Sequence, residues 1–258
     1  MFDPKNRLNE LSAKQWLKFT KTWFVHNPPP RKKAEQLHPA KYPENLIKEF
    51  IEFFTKPGQV VFDPFLGTGS TLVAAQQTGR KGIGIELQKR YAEIAKQRVD
   101  KTQHIIIGNA FDNHNLPEID LVITSPPYGA MLQKKSLAAK KRSDKGLDTQ
   151  YSDDEADLGN VETHDEFVEK LNQLFIQLKP KVKLNGHVVI ILQNYMQKGT
   201  YIPLAWDVAK LVSQNFQFRG ERIWCQDNKT LYPYGYRYSF VPNVHHHYCL
   251  IFKKIEEK

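Results

Sequence analysis

The run Val60-Val-Phe-Asp-Pro-Phe-Leu-Gly-Thr-Gly-Ser-Thr71 holds the densest chemical signal in the chain, an acid and a glycine-rich turn between a β-branched stretch and a helix-forming one. Gly67 and Gly69 permit positive φ and close backbone approach to a ligand. A helix opening at Ser70 and Thr71 presents free N–H groups there, so the turn suits a nucleotide or a molecule like one. Phosphate is disfavoured. A dinucleotide fingerprint needs a small residue where Leu72 stands, and a P-loop needs a Gly-Lys-Ser/Thr that is absent. Asp63 at the strand end matches a ligand with a positive amino group, and S-adenosylmethionine carries an ammonium and a sulfonium.

Two further acids extend the pattern. Gly82-Ile-Gly-Ile-Glu86 ends a second strand in a carboxylate able to accept hydrogen bonds from ribose hydroxyls. Gly108-Asn-Ala-Phe-Asp112 ends a third, placing Asn109 and Asp112 where an adenine amino group could be read. A fourth strand runs into Ser125-Pro126-Pro127-Tyr128, where two prolines fix φ and remove two backbone donors. The resulting ledge offers the Ser125 side chain, the carbonyls of Ser125 and Pro126, and the ring of Tyr128. It is matched to an exocyclic amino group, which has two N–H bonds to donate and a ring face to stack.

These residues need a scaffold that brings strand ends together. Short β-rich runs at Gln59 to Phe62, Gly82 to Ile85, His104 to Ile107, Leu121 to Thr124 and His187 to Leu192 predict parallel strands. Glu44 to Thr55, with Leu46, Ile47, Phe50, Ile51 and Phe54 on one face, predicts a helix, as do Ser70 to Gln77 and Gln88 to Val99. Thr163-His-Asp-Glu166 reads as a capping box for a further helix. Phe218 to Trp224 and His246 to Phe252 predict a terminal antiparallel pair, joined by a loop with Tyr232, Tyr234, Tyr236, Tyr238 and Phe240. The fold class is α/β, a Rossmann-like arrangement with a mostly parallel seven-stranded sheet.

The chain has 258 residues, room for a full core in one domain over 1–258. Within it the boundaries are a basic segment at 1–37, a cofactor and catalytic core at 38–128, a mobile loop at 129–162 and a C-terminal half at 163–258. Lys and Arg number 37 against 28 acids, and the formal charge of +9 biases the partners toward polyanions. Lys134, Lys135, Lys140, Lys141 and Arg142 follow the ledge closely and are the candidate clamp on DNA phosphates. Cys225 and Cys249 are too few for a disulfide framework, which favours a cytoplasmic location. No apolar stretch suggests a membrane span, no secretory leader is expected, and His245-His-His247 alternates across a strand, so no metal site is expected.

Asp63-Pro-Phe-Leu-Gly-Thr-Gly-Ser-Thr71 together with Ser125-Pro-Pro-Tyr128 resembles the DNA amino-methyltransferases that modify cytosine N4 or adenine N6. His38-Pro-Ala-Lys41-Tyr42-Pro43 resembles the family segment that walls the methionine pocket. The resemblance implies an S-adenosylmethionine-dependent methyltransferase fold and DNA methylation of the restriction–modification kind, in a nucleoid-associated protein. It implies that Lys41, Tyr42, Asp63, Pro64, Phe65, Gly67, Gly69, Ser70, Thr71 and Glu86 line the cofactor site. It also implies that Ser125 to Tyr128 bind a base flipped from duplex DNA. Asn109 stands where many members have an acid, and no large target-recognition insertion fits between Thr71 and Thr124. Serine at the start of the ledge accompanies cytosine in the family. Adenine N6, an RNA amino-methyltransferase and an inactive nucleic-acid-binding protein are the alternatives.

Overall fold

The computed structural model describes residues 4–28, 42–127, 157–161, 163–197 and 199–256. Five runs of β-branched residues become parallel strands: β2 (Val60–Asp63), β3 (Lys81–Glu86), β4 (His104–Ile107), β5 (Ile119–Thr124) and β6 (Val182–Leu192). Two more, β9 (Gln217–Cys225) and β10 (His246–Lys253), close the sheet as the expected antiparallel pair. An eighth strand, β1 (Trp23–Val25), corrects the expected seven by pairing parallel with β9 at the edge. The order is β1-β9-β10-β6-β5-β2-β3-β4. A separate hairpin, β7 (Tyr195–Gln197) with β8 (Thr200–Ile202), follows β6.

Strand residues alternate between two cores, as the period of two in a strand requires. Val61, Leu121, Ile123, Val189, Ile191 and Cys249 face α2 (Glu44–Phe54) and α3 (Ser70–Gln77). Phe62, Val122, Val188, Ile190, Leu250 and Phe252 face α5 (His164–Leu178) and α6 (Leu204–Val212). The expected apolar face of α2 is buried, with Phe53 added to it. Helix α4 (Lys89–Lys96) is shorter than the stretch to Val99, because Arg98 turns back to bond the carbonyl of Thr68 and the carboxylate of Glu44. The capping box at Thr163 is half formed: its hydroxyl accepts the Glu166 N–H at 3.3 Å, while the Glu166 carboxylate pairs with Lys170 at 2.8 Å.

The basic start of the chain is built into the sheet rather than hung beside it. Helix α1 (Ala13–Phe19) begins with a reciprocal Ser12–Gln15 capping box. The Arg222 guanidinium of β9 lies 4.0 Å from the ring centre of Phe19 and 4.3 Å from that of Phe24, and its Nε donates to the carbonyl of Lys21 at 3.1 Å. Phe50 of α2 completes this cage, edge-on to Phe19 at 5.1 Å. The cation is therefore held by ring faces and one backbone carbonyl, with one terminal nitrogen buried without a hydrogen-bond partner among the described residues, in a site where burial depresses its pKa.

Parallel order puts the carboxyl ends of β2, β3, β4 and β5 along one edge. The chain moves outward from β2 through β3 to β4, then returns to β5 on the other side of β2. This reversal between β2 and β5 is a topological switch point, where open α/β sheets form their ligand crevices. Phe50 is fully buried where α1, α2 and β1 meet. Phe50→Ala is expected to lower the unfolding free energy by about 3–5 kcal/mol in urea denaturation.

Candidate active site

The Asp63 carboxylate at the end of β2 is wholly buried and surrounded by donors. One oxygen accepts the Phe65 N–H at 3.0 Å and the Thr124 hydroxyl at 2.7 Å. The other accepts the hydroxyls of Tyr42 at 2.6 Å and Thr71 at 2.5 Å. Four donors fill the roughly four lone-pair positions of a carboxylate. Burial raises the Asp63 pKa while the three hydroxyls and the Phe65 amide oppose that shift, and it pushes the Tyr42 phenol well above its ordinary range. The acid expected to face an ammonium group is thus turned inward. It joins the glycine turn, through Thr71, to the strand that carries Ser125, through Thr124.

The turn is fixed by a second acid. Glu86 at the end of β3 accepts the Gly67 N–H at 2.7 Å on one oxygen and the Gln88 N–H at 2.8 Å on the other. Burial raises its pKa from 4.5 to about 7 against those two amides, with the charges of Asp157 and Asp63 adding to the rise. Gly69, at φ +88°, packs on α4, where an added Cβ would lie 2.9 Å from Cβ of Ala95. Its lack of a side chain serves helix packing as well as the turn. The hydroxyls of Thr68 and Ser70 are buried in the turn without a hydrogen-bond partner among the described residues.

A cleft runs along the switch point, where the ends of β2, β3, β4 and β5 meet. Of the residues expected from sequence, Pro64, Phe65, Glu86, Asn109, Ser125 and Pro127 line it. Tyr42, Asp63 and Thr71 lie behind its wall, while Gly67, Gly69 and Ser70 form the adjoining turn and Pro126 is buried beside the ledge. Asp112 is exposed and outside the lining. Asn109 turns its side-chain oxygen to the Phe111 N–H at 3.1 Å, leaving its amide nitrogen for other partners. Lys41, Tyr128, Lys134, Lys135, Lys140, Lys141 and Arg142 lie outside the described residues.

The lining includes residues that sequence reasoning missed. Tyr91, Phe111, Asp157 and Leu158 add two rings, an acid and an apolar wall. Asp157 caps and Leu158 opens a short 3-10 turn, and spacing alone gave no sign that they return to the cleft. Thr124 is the other omission, although a hydroxyl directly before the proline pair was a readable signal. Among the described residues no group of three or more His, Cys, Asp or Glu gathers as a metal site would require. His247 stacks on Trp224 at 4.5 Å, and His246 contacts the Tyr248 hydroxyl at 3.3 Å. Cys225 and Cys249 are both free thiols.

Sheet order and crevice together define an α/β fold of the S-adenosylmethionine-dependent methyltransferase type. A crystal structure described as an rRNA-methylase from Clostridium thermocellum shares it with a TM-score of 0.51 at 13% identity, over 83% of this chain and 98% of that one. Residues 3–97 match the N6/N4 family model described as DNA methylase. The Escherichia coli (strain K12) protein called methylase YubD is 44% identical over 82 residues, 31% of this chain and 36% of its own length. Type II methyltransferase M.BglII of Bacillus subtilis is 32% identical over 97 residues, 38% of this chain and 25% of the relative. DNA adenine methyltransferase YhdJ of E. coli (strain K12) is 40% identical over 67 residues, 26% of this chain and 23% of the relative. The chain thus covers about a third or less of the length of these relatives.

Two outcomes follow from the acids. A carboxyl whose folded pKa is raised binds its proton more tightly folded than unfolded, so its stabilisation is complete below about 4.5 and lost as pH rises through about 7. Glu86→Gln is expected to remove this decline, on the order of 3 kcal/mol, from a plot of denaturation free energy against pH. Asp63→Ala leaves four donors without their acceptor and is expected to cost at least about 3 kcal/mol, read as a lowered Tm.

Proposed function

We propose that the protein transfers the methyl group of S-adenosylmethionine to an exocyclic amino group of a DNA base, with cytosine N4 as the favoured acceptor. The observation that supports this reading is the shared cleft, lined both by the acid of β3 and by the proline-stiffened end of β5. The lining fits a nucleoside bearing a sulfonium. It contains the rings of Phe65 and Phe111, the acid Glu86, and Asn109 with a free side-chain amide, while two unpartnered hydroxyls lie in the adjoining turn. Bound there, S-adenosylmethionine supplies an electrophilic methyl group.

The roles of the chain's own residues follow from their chemistry. Glu86 accepts from ribose hydroxyls with the lone pairs left by Gly67 and Gln88, and Phe65 covers a face of the ligand. Ser125, with the carbonyls of Ser125 and Pro126, accepts the two N–H bonds of the base, so that the nitrogen lone pair is directed at the methyl group rather than shared with the ring. Transfer would form a C–N bond at the expense of the donor's C–S bond, its electron pair left on sulfur, and these acceptors would hold the amino group while it gives up one proton to water. Catalysis is by positioning, which in ideal intramolecular cases is worth roughly 7 to 11 kcal/mol. A base within duplex DNA must first be flipped out, at a cost of a few kcal/mol. Tyr128 is proposed to stack on that base, and the Lys134 to Arg142 cluster to hold flanking phosphates.

Adenine N6 is a second reading, favoured by the identity to a relative named as an adenine methyltransferase. Incubation with methyl-labelled S-adenosylmethionine and duplex DNA or RNA, followed by digestion to nucleosides, separates the possibilities. N4-methylcytosine is the expected product. N6-methyladenine would shift the assignment to the second reading, and label confined to RNA, or none, would overturn it. Ser125→Ala is expected to slow transfer by about ten- to a hundredfold with ligand binding in calorimetry unchanged, because one acceptor of the amino group is lost.

A further inference from the structure

The loop between β9 and β10, residues 226–245, carries five aromatic rings within nine positions, and none is used by the site described above. The outermost are well exposed: Tyr236 at 68%, Tyr238 at 93% and Phe240 at 90%. Rings of this size left in water form an apolar patch of the kind that marks an interaction surface. Their exposure is not the result of an unstructured loop. The Asn243 side chain clamps the backbone of Tyr232 by two hydrogen bonds of 2.9 Å, acting like a paired strand residue. Above that clamp the N–H groups of Tyr238 and Ser239 both reach the carbonyl of Gly235 at 2.9 Å. Gly235 has φ +69°, and an added Cβ would lie 2.3 Å from the Ser239 carbonyl oxygen, so the tight turn requires glycine. Below, Gln226 N–H bonds the His245 carbonyl at 2.8 Å, and Gln193 holds the carbonyls of Val244 and His246. A backbone fixed in this way presents its rings outward.

Register places the loop beside the ledge. Thr124 pairs with Ile190 on β6, and Leu192, two residues further along β6, pairs with Tyr248 on β10. The loop therefore rises from the same sheet edge as Ser125, two strands away, or roughly 10 Å at the usual strand spacing. Its cations are Lys229 and Arg237, the latter 5.3 Å over the Tyr236 ring, against a single acid, Asp227, which is bonded by Asn27. Planar faces, polar hydroxyl edges and an excess of positive charge suit nucleobases. Every base has a face to stack, and the phosphates that accompany bases are drawn to the cations.

We propose that Tyr236, Tyr238 and Phe240 form a stacking platform for unpaired DNA bases next to the reacting one. The platform deepens the DNA-methylation reading and rests on it. Stacking is a contact with bases and not with phosphates, so its loss should weaken binding without changing salt dependence. The test compares the parent protein with the triple variant Tyr236→Ser, Tyr238→Ser, Phe240→Ser. Fluorescence anisotropy follows a labelled single-stranded oligonucleotide, and a duplex containing one mismatch, over a series of salt concentrations. Calorimetry with S-adenosylhomocysteine monitors the cofactor cleft. The expected result is a loss of affinity of roughly tenfold or more for both oligonucleotides, with an unchanged salt slope and unchanged S-adenosylhomocysteine binding. Tyr236→Phe, Tyr238→Phe and Phe240→Trp together should retain parent affinity. Equal affinity in the triple serine variant would overturn the platform while leaving methyl transfer in place. A parent that binds S-adenosylhomocysteine but neither oligonucleotide would overturn both readings. A concentration-dependent dimer that is abolished by the serines while oligonucleotide affinity is retained would assign the patch to a second copy of the chain and overturn the platform.

Discussion

The arrangement of the cleft depends on one buried carboxylate. Asp63 receives the backbone of the turn that follows it, hydroxyls from the segment before α2 and from α3, and a hydroxyl from the neighbouring strand β5. A carboxyl without water is costly in either protonation state unless its lone pairs are met, and here they are met by groups from four parts of the chain. The strand ends on either side of the topological reversal are therefore locked together through a polar contact that tolerates little displacement. A hydrophobic core would hold the strands side by side but would not fix their ends at this resolution of position.

Around this anchor the glycine turn is set by groups that also serve packing. Glu86 takes the Gly67 amide, Arg98 takes the Thr68 carbonyl, and Ala95 leaves no space for a side chain at position 69. A turn held from three directions can keep hydroxyls unpartnered and backbone exposed to a crevice without collapsing into it. Such preorganisation is what transfer by positioning demands, because the reacting groups must meet without reorganising their supports. The fold and the proposed chemistry are consistent on this point at each level, from local turn chemistry to sheet order.

Much of this architecture was legible in the residues. Buried parallel strands are continuous β-branched runs, and Ile83, Ile85, Val122 and Ile123 announced themselves in that way. The amphipathic pattern of α2 and the turn residues of the cofactor end were equally plain. What escaped was short or non-local. β1 has three residues and no alternating pattern of its own; its partner is two hundred positions distant, and the rings that bracket Arg222 come from three separate elements. Helix α1 carries a readable start sign in the Ser12-to-Gln15 capping box, but only seven residues follow it. The orientation of Asp63 could not be read from spacing, because a carboxylate at a strand end can turn toward a crevice or away from it. The donors that decided between these, Tyr42 and Thr124, only become neighbours after folding. Asp157 and Leu158 were hidden for the same reason.

The cage around Arg222 bears on how the protein's charge should be counted. Arg80 is spent on the oxygens of Thr55 and Thr78, Arg98 on Thr68 and Glu44, and Lys254 on the carbonyls of Lys179 and Val182. These cations act as internal fasteners whose fields are largely absorbed by the groups they grip. The electrostatic face that a polyanion meets is therefore smaller than the composition advertises, and it is drawn from the lysines and arginines that remain at the periphery.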